Sequence, residues 1–353
     1  MNIRESTRLY EDWLRKQLRG DVVTPDLARK HDKMRESPFV FLRATYWRWA
    51  ETILDVCPDL AGAASVLAIG DAHLENYGTW RDVDGRLAWG INDFDEAARM
   101  PYALDLLRLA ASALLAGGRR AVAAEDICST ILEGYADGLR APRPIVLDRD
   151  YGWLRNLVVV SDKQRAKFWE KIAAARPKAA PARYRRALAA AMPQSRLALR
   201  TVPRSAGAGS LGRPRWVGIA EWHGAPIVRE AKALVSSAWV RQRGRGARNI
   251  RVEEIANGRF RPLDPWFQVS GSIAVRRLSP NNRKIEAEDA VAALLMPDML
   301  RAMAFEIANI HVGATDRRAA VGRDLRSHKS GWLAANVKKA AEAVTRDFAD
   351  WRS

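Results

Sequence analysis

Two short apolar runs in the first third of the chain each lead directly into a loop rich in Asp and Asn. Ser65 to Ile69 precedes the first polar loop, Gly70-Asp71-Ala72-His73-Leu74-Glu75-Asn76. Leu87 to Ile91 precedes the second polar loop, Asn92-Asp93-Phe94-Asp95-Glu96. Apolar runs of this length are typical of buried strands. Asp82-Val83-Asp84-Gly85 predicts a turn that leads into the second run. The two polar loops are therefore expected to flank a hairpin.

The residue types in these loops are the ones that metal-dependent phosphoryl transfer requires. Asp71 is followed after five residues by Asn76, and after a further seventeen by Asp93. In such reactions one carboxylate orients the attacking hydroxyl, while an amide oxygen and a second carboxylate hold Mg²⁺ on the nucleotide phosphates. The spacing predicts that Asp71 is catalytic and that Asn76 and Asp93 are metal ligands, with Asp95 or Glu96 as supporting partners.

A glycine-rich segment lies much later in the chain. Gly207, Gly209 and Gly212 fit the pattern G-x-G-x-x-G, which dinucleotide-binding folds share with the phosphate-covering loops of kinases. A dinucleotide fingerprint must open a helix, whereas this segment leads into Arg215 to Trp222, which has the pattern of a strand. The pattern therefore favours a loop that covers nucleotide phosphates, because glycine lets backbone amides approach closely.

Lys232 lies at the end of the next predicted strand, which runs from Pro226 to Ala231 after a two-residue turn. Kinase-like folds carry the lysine that pairs with phosphate on this strand. A helix that follows should supply a glutamate partner, and both Glu253 and Glu254 are candidates. The sequence does not choose between them, and Arg229 is an alternative to Lys232.

With these motifs the chain resembles the bacterial domain-of-unknown-function 2252 family. The resemblance spreads over about 200 positions. It is carried by Lys33-Met34, Ser37-Pro38-Phe39, Phe41-Leu42-Arg43, Gly70 to Asn76, Asn92 to Glu96, Asp105 to Leu109 and Glu230 to Leu234. That family is itself uncharacterised, so the resemblance implies no activity.

A more distant similarity does imply one. The first polar loop is similar to the catalytic loop of aminoglycoside phosphotransferases and choline kinases, and the second is similar to their metal-binding segment. This similarity implies that Asp71 is the base, that Asn76 and Asp93 bind Mg²⁺, and that Lys232 grips the α- and β-phosphates of ATP. His73 stands where those loops often carry a histidine, which either braces the loop or contacts phosphate.

Two features depart from the pattern of those enzymes. Ile69 stands where they usually have His, and Gly207 comes more than 100 residues after Asn76 instead of before it. The resemblance therefore implies a circularly permuted fold, which is physically acceptable when the splice points lie at the surface. It also implies that Asp105 anchors the first polar loop from the helix that follows.

Helical patterns flank a strand-rich middle segment, which predicts an α+β protein. They cover residues 7–20, 38–55, 104–115, 125–139, 286–311 and 332–351. We expect a two-lobed, protein-kinase-like and circularly permuted fold. Its parts are a helical large lobe with both polar loops (1–165), a basic connector rich in Ala, Pro and Arg (166–204), a small nucleotide-binding lobe of antiparallel sheet (205–285), and C-terminal helices that complete the large lobe (286–353).

The net charge of +17 restricts the choice of partners. Residues 163–204 contain twelve Lys or Arg and one acidic residue, Glu170. This stretch is either a solvated pair of basic helices or a face that binds anions. The two cysteines, Cys57 and Cys128, exclude a disulfide framework, and no apolar run has the length of a membrane span. We therefore expect a cytoplasmic protein.

These features together predict a MgATP-dependent phosphotransferase that moves the γ-phosphate to an unidentified hydroxyl acceptor, for which the basic residues suggest an anionic molecule. The alternative is a non-catalytic protein on a kinase-like fold that binds nucleotide or nucleic acid, which the charge and the thirteen Trp support. Asp71, Asn76 and Asp93 are all present, which favours the enzyme. Asp71-Ala72-His73 also fits a binuclear metallophosphoesterase, but five histidines offer few further ligands.

Overall fold

Helices form the N-terminal and C-terminal parts of the protein. The computed structural model describes residues 1–118, 122–194, 196–244 and 250–353. The helices in these ranges are α1 Ile3–Gln17, α2 Thr24–Lys33, α3 Pro38–Ala44, α4 Tyr46–Val56, α5 Ala103–Gly117, α6 Ala124–Arg140, α7 Gly152–Leu157, α8 Asp162–Ala174, α9 Ala182–Ala190, α10 Ala238–Arg243, α11 Val252–Ala256, α12 Ala287–Leu294, α13 Pro297–Gly313, α14 Arg318–Ser327 and α15 Trp332–Arg352.

The strands form small antiparallel sheets. Two of these are strand pairs, β1 Ser65–Ala68 with β4 Ala98–Pro101 and β2 Tyr77–Arg81 with β3 Leu87–Ile91. The third contains β5 Arg200–Pro203, β6 Arg215–Trp222, β7 Ala225–Ala233, β8 Gln268–Ser270 and β9 Ile273–Leu278, in the order β5-β6-β7-β9-β8. The predicted α+β class with a small antiparallel sheet is therefore confirmed.

Both predicted hairpins are present, but the helix predicted over 38–55 is wrong as a single element. Ser37 begins it as expected, since its hydroxyl accepts a hydrogen bond from the amide of Val40 at 3.3 Å. The chain leaves the helical conformation at Thr45, where φ is −123° and ψ is 40°. Two helices, α3 and α4, result, and the turn between them brings both helices against the body of the protein.

Helix α5 forms the centre of the helical part. Every residue from Ala103 to Ala113 is buried, as expected for a helix that other elements surround on all sides. Helices α6 and α13 lie beside α5. They pack closely against each other, because Gly134 and Gly138 of α6 leave room for the backbone of α13. A Cβ atom on Gly134 would lie 2.2 Å from the carbonyl oxygen of Arg301. This packing fixes β1, which leads into the first polar loop, and α5, which contacts it.

The basic connector packs on the five-stranded sheet. Phe168 and Trp169 of α8 lie against a small apolar cluster on one face of the sheet, formed by Val202, Val217, Ile219 and Val228. Helix α9 packs beside Gly218 on β6, where a Cβ atom would lie 3.2 Å from the side chain of Leu188. Residue 195 of the connector lies outside the described residues. In the described ranges, none of the helices combines the length and the apolar character that a membrane crossing requires.

Candidate functional site

Helix α5 anchors the first polar loop through hydrogen bonds. The backbone amides of Ile69 and Gly70 both donate to the carboxylate of Asp105, at 2.7 and 2.8 Å. His311 of α13 lies 2.9 Å from the same carboxylate. Gly70 has a φ of +82°, and a Cβ atom there would lie 2.6 Å from the carbonyl oxygen of Glu96. The loop therefore leaves β1 in a conformation that only glycine adopts without strain.

Asp71 is held by a buried arginine. Arg108 of α5 donates from Nε and Nη2 to Oδ1 of Asp71, at 2.7 and 2.6 Å. The guanidinium has no exposed surface and lies between the rings of Tyr46 and Trp49, 4.9 and 5.0 Å from their centroids. Burial raises the pKa of Asp71, and Arg108 opposes that shift. The second carboxylate oxygen of Asp71 remains directed at the site.

His73 stands beside this carboxylate as a neutral side chain. Its Nδ1 accepts a hydrogen bond from the amide of Glu75 at 3.2 Å, and its Nε2 lies 4.0 Å from Oδ2 of Asp71. Burial lowers the pKa of His73 well below its usual range, and the nearby cations Arg43 and Lys284 lower it further. The hydrogen bond to the loop fits a bracing role better than a charged contact with phosphate.

Asn76 joins the two polar loops. Its Nδ2 donates to the carbonyl oxygens of Asp71 at 3.0 Å and Asp93 at 2.6 Å, and its Oδ1 accepts from the amide of Asp93 at 3.1 Å. An amide oxygen has two lone pairs, so Oδ1 of Asn76 keeps one for a further partner. The carboxylate of Asp93 is 42% exposed at the same place. Asn76 and Asp93 line the same small cavity.

The sheet reaches this point through Lys232. The ammonium group of Lys232 lies 3.1 and 3.0 Å from the two carboxylate oxygens of Asp93, and it also pairs with Asp95. Burial disfavours the ionised form of Asp93, but the charges of Lys232, Arg215 and others outweigh that and hold the pKa of its carboxyl well below its usual range. Burial and the charge of Asp93 raise the pKa of Asp95. Of the two carboxyls, Asp93 is therefore the one whose ionised form the site favours more strongly.

The other residues proposed to act with Lys232 lie elsewhere. Glu253 and Glu254 are exposed on α11, where Glu254 pairs with Arg251 at 2.9 Å, and the described chain brings neither into contact with Lys232. Arg229 donates to the carbonyl oxygen of Ala191 at 3.1 Å, against the connector. Lys232, not Arg229, therefore faces the polar loops.

The glycine-rich loop lies directly over Asp71. A Cβ atom on Gly209 would lie 3.0 Å from the carbonyl oxygen of Arg43 and 3.5 Å from Oδ2 of Asp71. Gly207 and Gly212 have φ values of +74° and +93°, which explains two of the three glycines of the motif. The loop is thus folded onto the large helical part and closes over the first polar loop.

Two further basic residues fix this loop, and the sequence analysis did not single them out. Lys30 of α2 donates to the carbonyl oxygen of Gly209 at 2.8 Å. Burial lowers the pKa of Lys30 to about 7, and the charge of Arg213 adds to that effect. Arg213 donates to Glu96 at 2.7 Å and to Asp95 at 3.2 Å. Arg213 directly follows Gly212, which is the one local signal for its role.

Two cavities meet at Asp93 and Gly207. The small cavity, of about 60 Å³, is lined by Asp71, His73, Asn76 and the glycine-rich loop. The large cavity, of about 370 Å³, lies between the sheet and the second polar loop, and Phe94, Phe168 and Phe267 line it with seven Arg and Lys and three Asp and Glu. The large cavity has the size of a small-molecule site, whereas the small one has room only for the reacting groups.

No group of three or more His, Cys, Asp and Glu side chains is arranged to hold a metal ion within the described ranges. A binuclear metallophosphoesterase centre needs such a group of ligands. A single Mg²⁺ bound through one amide oxygen, one carboxylate and the phosphates of a ligand does not need one.

The fold and the site together define a mixed α+β protein with a charged cleft between a helical body and a five-stranded antiparallel sheet. Residues 23–201 match the family model described as "Uncharacterized protein conserved in bacteria (DUF2252)". The chain belongs to this family. The matched range contains both polar loops and ends before the glycine-rich loop and Lys232. No curated protein and no solved structure matches the chain.

Proposed function

We propose that the protein is a MgATP-dependent phosphotransferase with a two-lobed, circularly permuted, kinase-like arrangement. The observation that carries the proposal is the contact of Lys232 with Asp93 and Asp95 beside Asn76. In kinases the lysine of the sheet and the metal-binding carboxylate act on the same nucleotide phosphates, so the closeness of the two groups here supports the proposal.

The arrangement of the sheet supports the same proposal. The glycine-rich loop connects β5 with β6, and Lys232 lies on β7, the third strand of this sheet along the chain. Protein kinases also carry their phosphate-pairing lysine on the third strand, with a glycine-rich loop over the phosphates. Here the sheet follows the polar loops in the sequence, so the succession of the two lobes is permuted.

The residues around Asn76 fit a magnesium ion. Mg²⁺ prefers hard oxygen ligands and binds proteins through one or two carboxylates together with substrate phosphates. Oδ1 of Asn76 and the ionised, half-exposed carboxylate of Asp93 supply such oxygens. When bound there, the ion would neutralise the charge that develops on the phosphates. The ammonium group of Lys232 lies beside the same carboxylate and would pair with phosphate.

In the proposed reaction, Asp71 acts on the acceptor hydroxyl. The acceptor oxygen attacks the γ-phosphorus, the bond from that phosphorus to the bridging oxygen breaks, and ADP leaves. The proton of the acceptor hydroxyl passes to Oδ2 of Asp71, while Arg108 holds Oδ1 and fixes the orientation of the carboxylate. Burial raises the pKa of Asp71, which makes it a better proton acceptor than an exposed aspartate.

Calorimetric titration of ATP with and without Mg²⁺ tests the proposal. We expect Mg²⁺ to strengthen the binding of ATP. Asp93→Ala should abolish this strengthening and Asp84→Ala should retain it, because Asp84 lies exposed at the tip of the β2–β3 hairpin. In turnover assays, Asp93→Ala should lose more activity than His73→Ala. An Asp93→Ala protein that binds MgATP like the wild type would refute the proposal. Binding of nucleic acid without binding of ATP would favour the alternative function.

A further inference from the structure

Two arginines of the five-stranded sheet, Arg215 and Arg276, and Arg204, which directly follows β5, converge on one buried glutamate. Glu230 of β7 has no exposed side-chain surface. Its Oε1 accepts from Nη1 of Arg215 and from Nε and Nη2 of Arg276, each at 2.9 Å. Its Oε2 accepts from Nη1 of Arg204 at 2.5 Å. We call Arg204, Arg215 and Arg276 the three-arginine cluster.

The cluster carries more charge and more donors than Glu230 can satisfy. Three guanidiniums carry three positive charges against one negative charge, and they hold far more N–H donors than one carboxylate accepts. Burial alone would raise the pKa of Glu230, but Arg276, Arg215 and Arg204 together hold it far below its usual range. Nε of Arg215 is buried without a hydrogen-bond partner. Arg215 and Arg276 also act on Asp93, and an anion in the adjoining cavity would balance the positive charge that Glu230 and Asp93 leave.

The cluster opens into the large cavity. All three arginines line that cavity, and the side chains of Arg204 and Arg276 are 37% and 35% exposed. Arg215 is only 3% exposed and forms the floor. The partly exposed arginines therefore have free donors on the cavity side, where a ligand would lie.

The position of the cluster relates it to the reacting groups. Glu230 is two residues before Lys232 on β7, so both side chains point to the same face of the sheet. Nη2 of Arg215 lies 3.5 Å from where a Cβ atom of Gly207 would stand, and Ser210 of the same loop accepts from this Nη2. The cluster thus lies under the glycine-rich loop, next to the lysine that contacts Asp93.

We infer that the three-arginine cluster is a phosphate-binding subsite, which takes the non-transferred phosphates of a nucleoside di- or triphosphate. Guanidinium groups bind phosphate through two parallel hydrogen bonds, which suits them to a phosphate chain better than a lone ammonium group. Glu230 is a positioning residue that fixes the three guanidiniums in place. This inference rests on the proposed function for the identity of the ligand, but the subsite itself requires only a chain of phosphates.

The test titrates the full-length protein without Mg²⁺, using ADP, AMP, adenosine and inorganic tripolyphosphate. We expect ADP and tripolyphosphate to compete for one site, AMP to bind more weakly and adenosine not to compete with tripolyphosphate. Arg276→Gln and Arg204→Gln should each weaken ADP and tripolyphosphate about 10- to 100-fold, since hydrogen bonds to charged groups are lost. Arg149→Gln is the matched control, because Arg149 is 91% exposed and far from the sheet in sequence.

The outcomes separate this inference from the proposed function. If Arg276→Gln and Arg204→Gln bind ADP and tripolyphosphate like the wild type, the subsite is refuted, even where MgATP binding still needs Asp93. If both variants lose tripolyphosphate but ATP binding needs neither Mg²⁺ nor Asp93, the subsite stands and the phosphotransferase proposal falls. Binding of single-stranded RNA in place of tripolyphosphate also refutes the subsite. Circular dichroism checks the fold of each variant, and Arg276→Lys, which keeps the charge, should show an intermediate affinity.

Discussion

The ammonium group of Lys232 lies 3.0 Å from Oδ2 of Asp93, although 139 positions separate the two residues in the chain. The lysine belongs to the five-stranded sheet and the aspartate to the second polar loop, so this ion pair ties the sheet to the helical body. It also ties together the two motifs that the sequence carries far apart.

Lys232→Met should lower the free energy of unfolding at pH 7 by about 2 kcal/mol. Loss of one partner of a buried ion pair costs more than this, but the exposure of Asp93 reduces the cost. Because the folded protein holds the pKa of Asp93 low, the stability it contributes is present at neutral pH and is lost as the pH falls. The deficit of the variant should therefore shrink as the pH falls below about 4, the pKa of an unfolded aspartate, and should be clearly smaller at about pH 3.

Urea unfolding at both pH values measures this deficit. Lys338→Met is the matched control, because the pair of Lys338 with Glu125 is about half exposed on both sides. Its removal should leave the free energy of unfolding almost unchanged at both pH values. A Lys232→Met protein with the same deficit at both pH values would show that the ion pair does not contribute through the charge of Asp93.

Local patterns were sufficient to predict the elements that carry the site. The apolar runs before the polar loops, the turn residues and the spacing of glycines are all local signals, and the structure places both hairpins and the glycine-rich loop where these signals indicate. Strands β4, β5 and β8 were missed, because segments of four, four and three residues show no usable alternation.

The partners of the site residues were much harder to predict. Arg108, Arg213 and Lys30 each contact a loop that is distant in sequence; Arg213 and Glu96, for example, are 117 positions apart. Only tertiary packing decides such pairs. The one hint for Arg108 is its place in the apolar helix α5, where a charged residue needs a partner. The helix that follows Lys232 suggested Glu253 and Glu254, but α11 turns both toward solvent.

The pair of Arg108 and Asp71 should show strong coupling. Arg108→Met leaves a buried carboxylate without its cation and should cost about 3–5 kcal/mol of unfolding free energy. Asp71→Asn leaves a buried guanidinium without its anion and should also destabilise the protein. The double variant should be less destabilised than the sum of the two by about 1–3 kcal/mol.

A double-mutant cycle by urea unfolding measures this coupling. Arg140→Met and Asp137→Asn provide the reference cycle, since that pair is exposed and lies within α6. The reference coupling should stay below about 0.5 kcal/mol. Additive effects for Arg108 and Asp71 would mean that Arg108 stabilises the protein through Tyr46 and Trp49 alone.

Gly134→Ala should destabilise the packing of α6 on α13. A Cβ atom there would stand 2.2 Å from the carbonyl oxygen of Arg301, and a backbone atom cannot move away cheaply. We expect a loss of about 1–3 kcal/mol, despite the better helix propensity of alanine. Gly117→Ala is the control: its nearest neighbour, a side-chain atom of Leu295, lies at 3.6 Å. There alanine should stabilise the protein by about 0.5 kcal/mol in chemical denaturation. Equal effects at both positions would contradict the packing argument.

Because of Glu306, the free energy of unfolding should fall as the pH rises from about 5 to about 8. This residue of α13 is 1% exposed, and burial raises the pKa of its carboxyl to about 7, although Arg261 opposes the shift. An acid with a raised pKa binds its proton more tightly in the folded state than in the unfolded state. Stability is therefore full below the unfolded pKa, near 4.5, and falls as the pH rises through the folded value.

Glu306→Gln should flatten this profile, because the amide does not titrate. The fall in unfolding free energy from pH 5 to pH 8 should shrink by about 2–3 kcal/mol. Glu133→Gln is the control and should leave the profile unchanged, because Glu133 is exposed. A profile that Glu306→Gln leaves as steep as the wild type would assign the fall to other groups.

The same titration bears on the large cavity. When Glu306 is protonated, Arg261, which lines the cavity over the ring of Trp80 at 4.2 Å, loses its counter-charge. Arg261 is then freer to attract an anion there, so we expect the affinity for tripolyphosphate to rise as the pH falls from about 8 to 6.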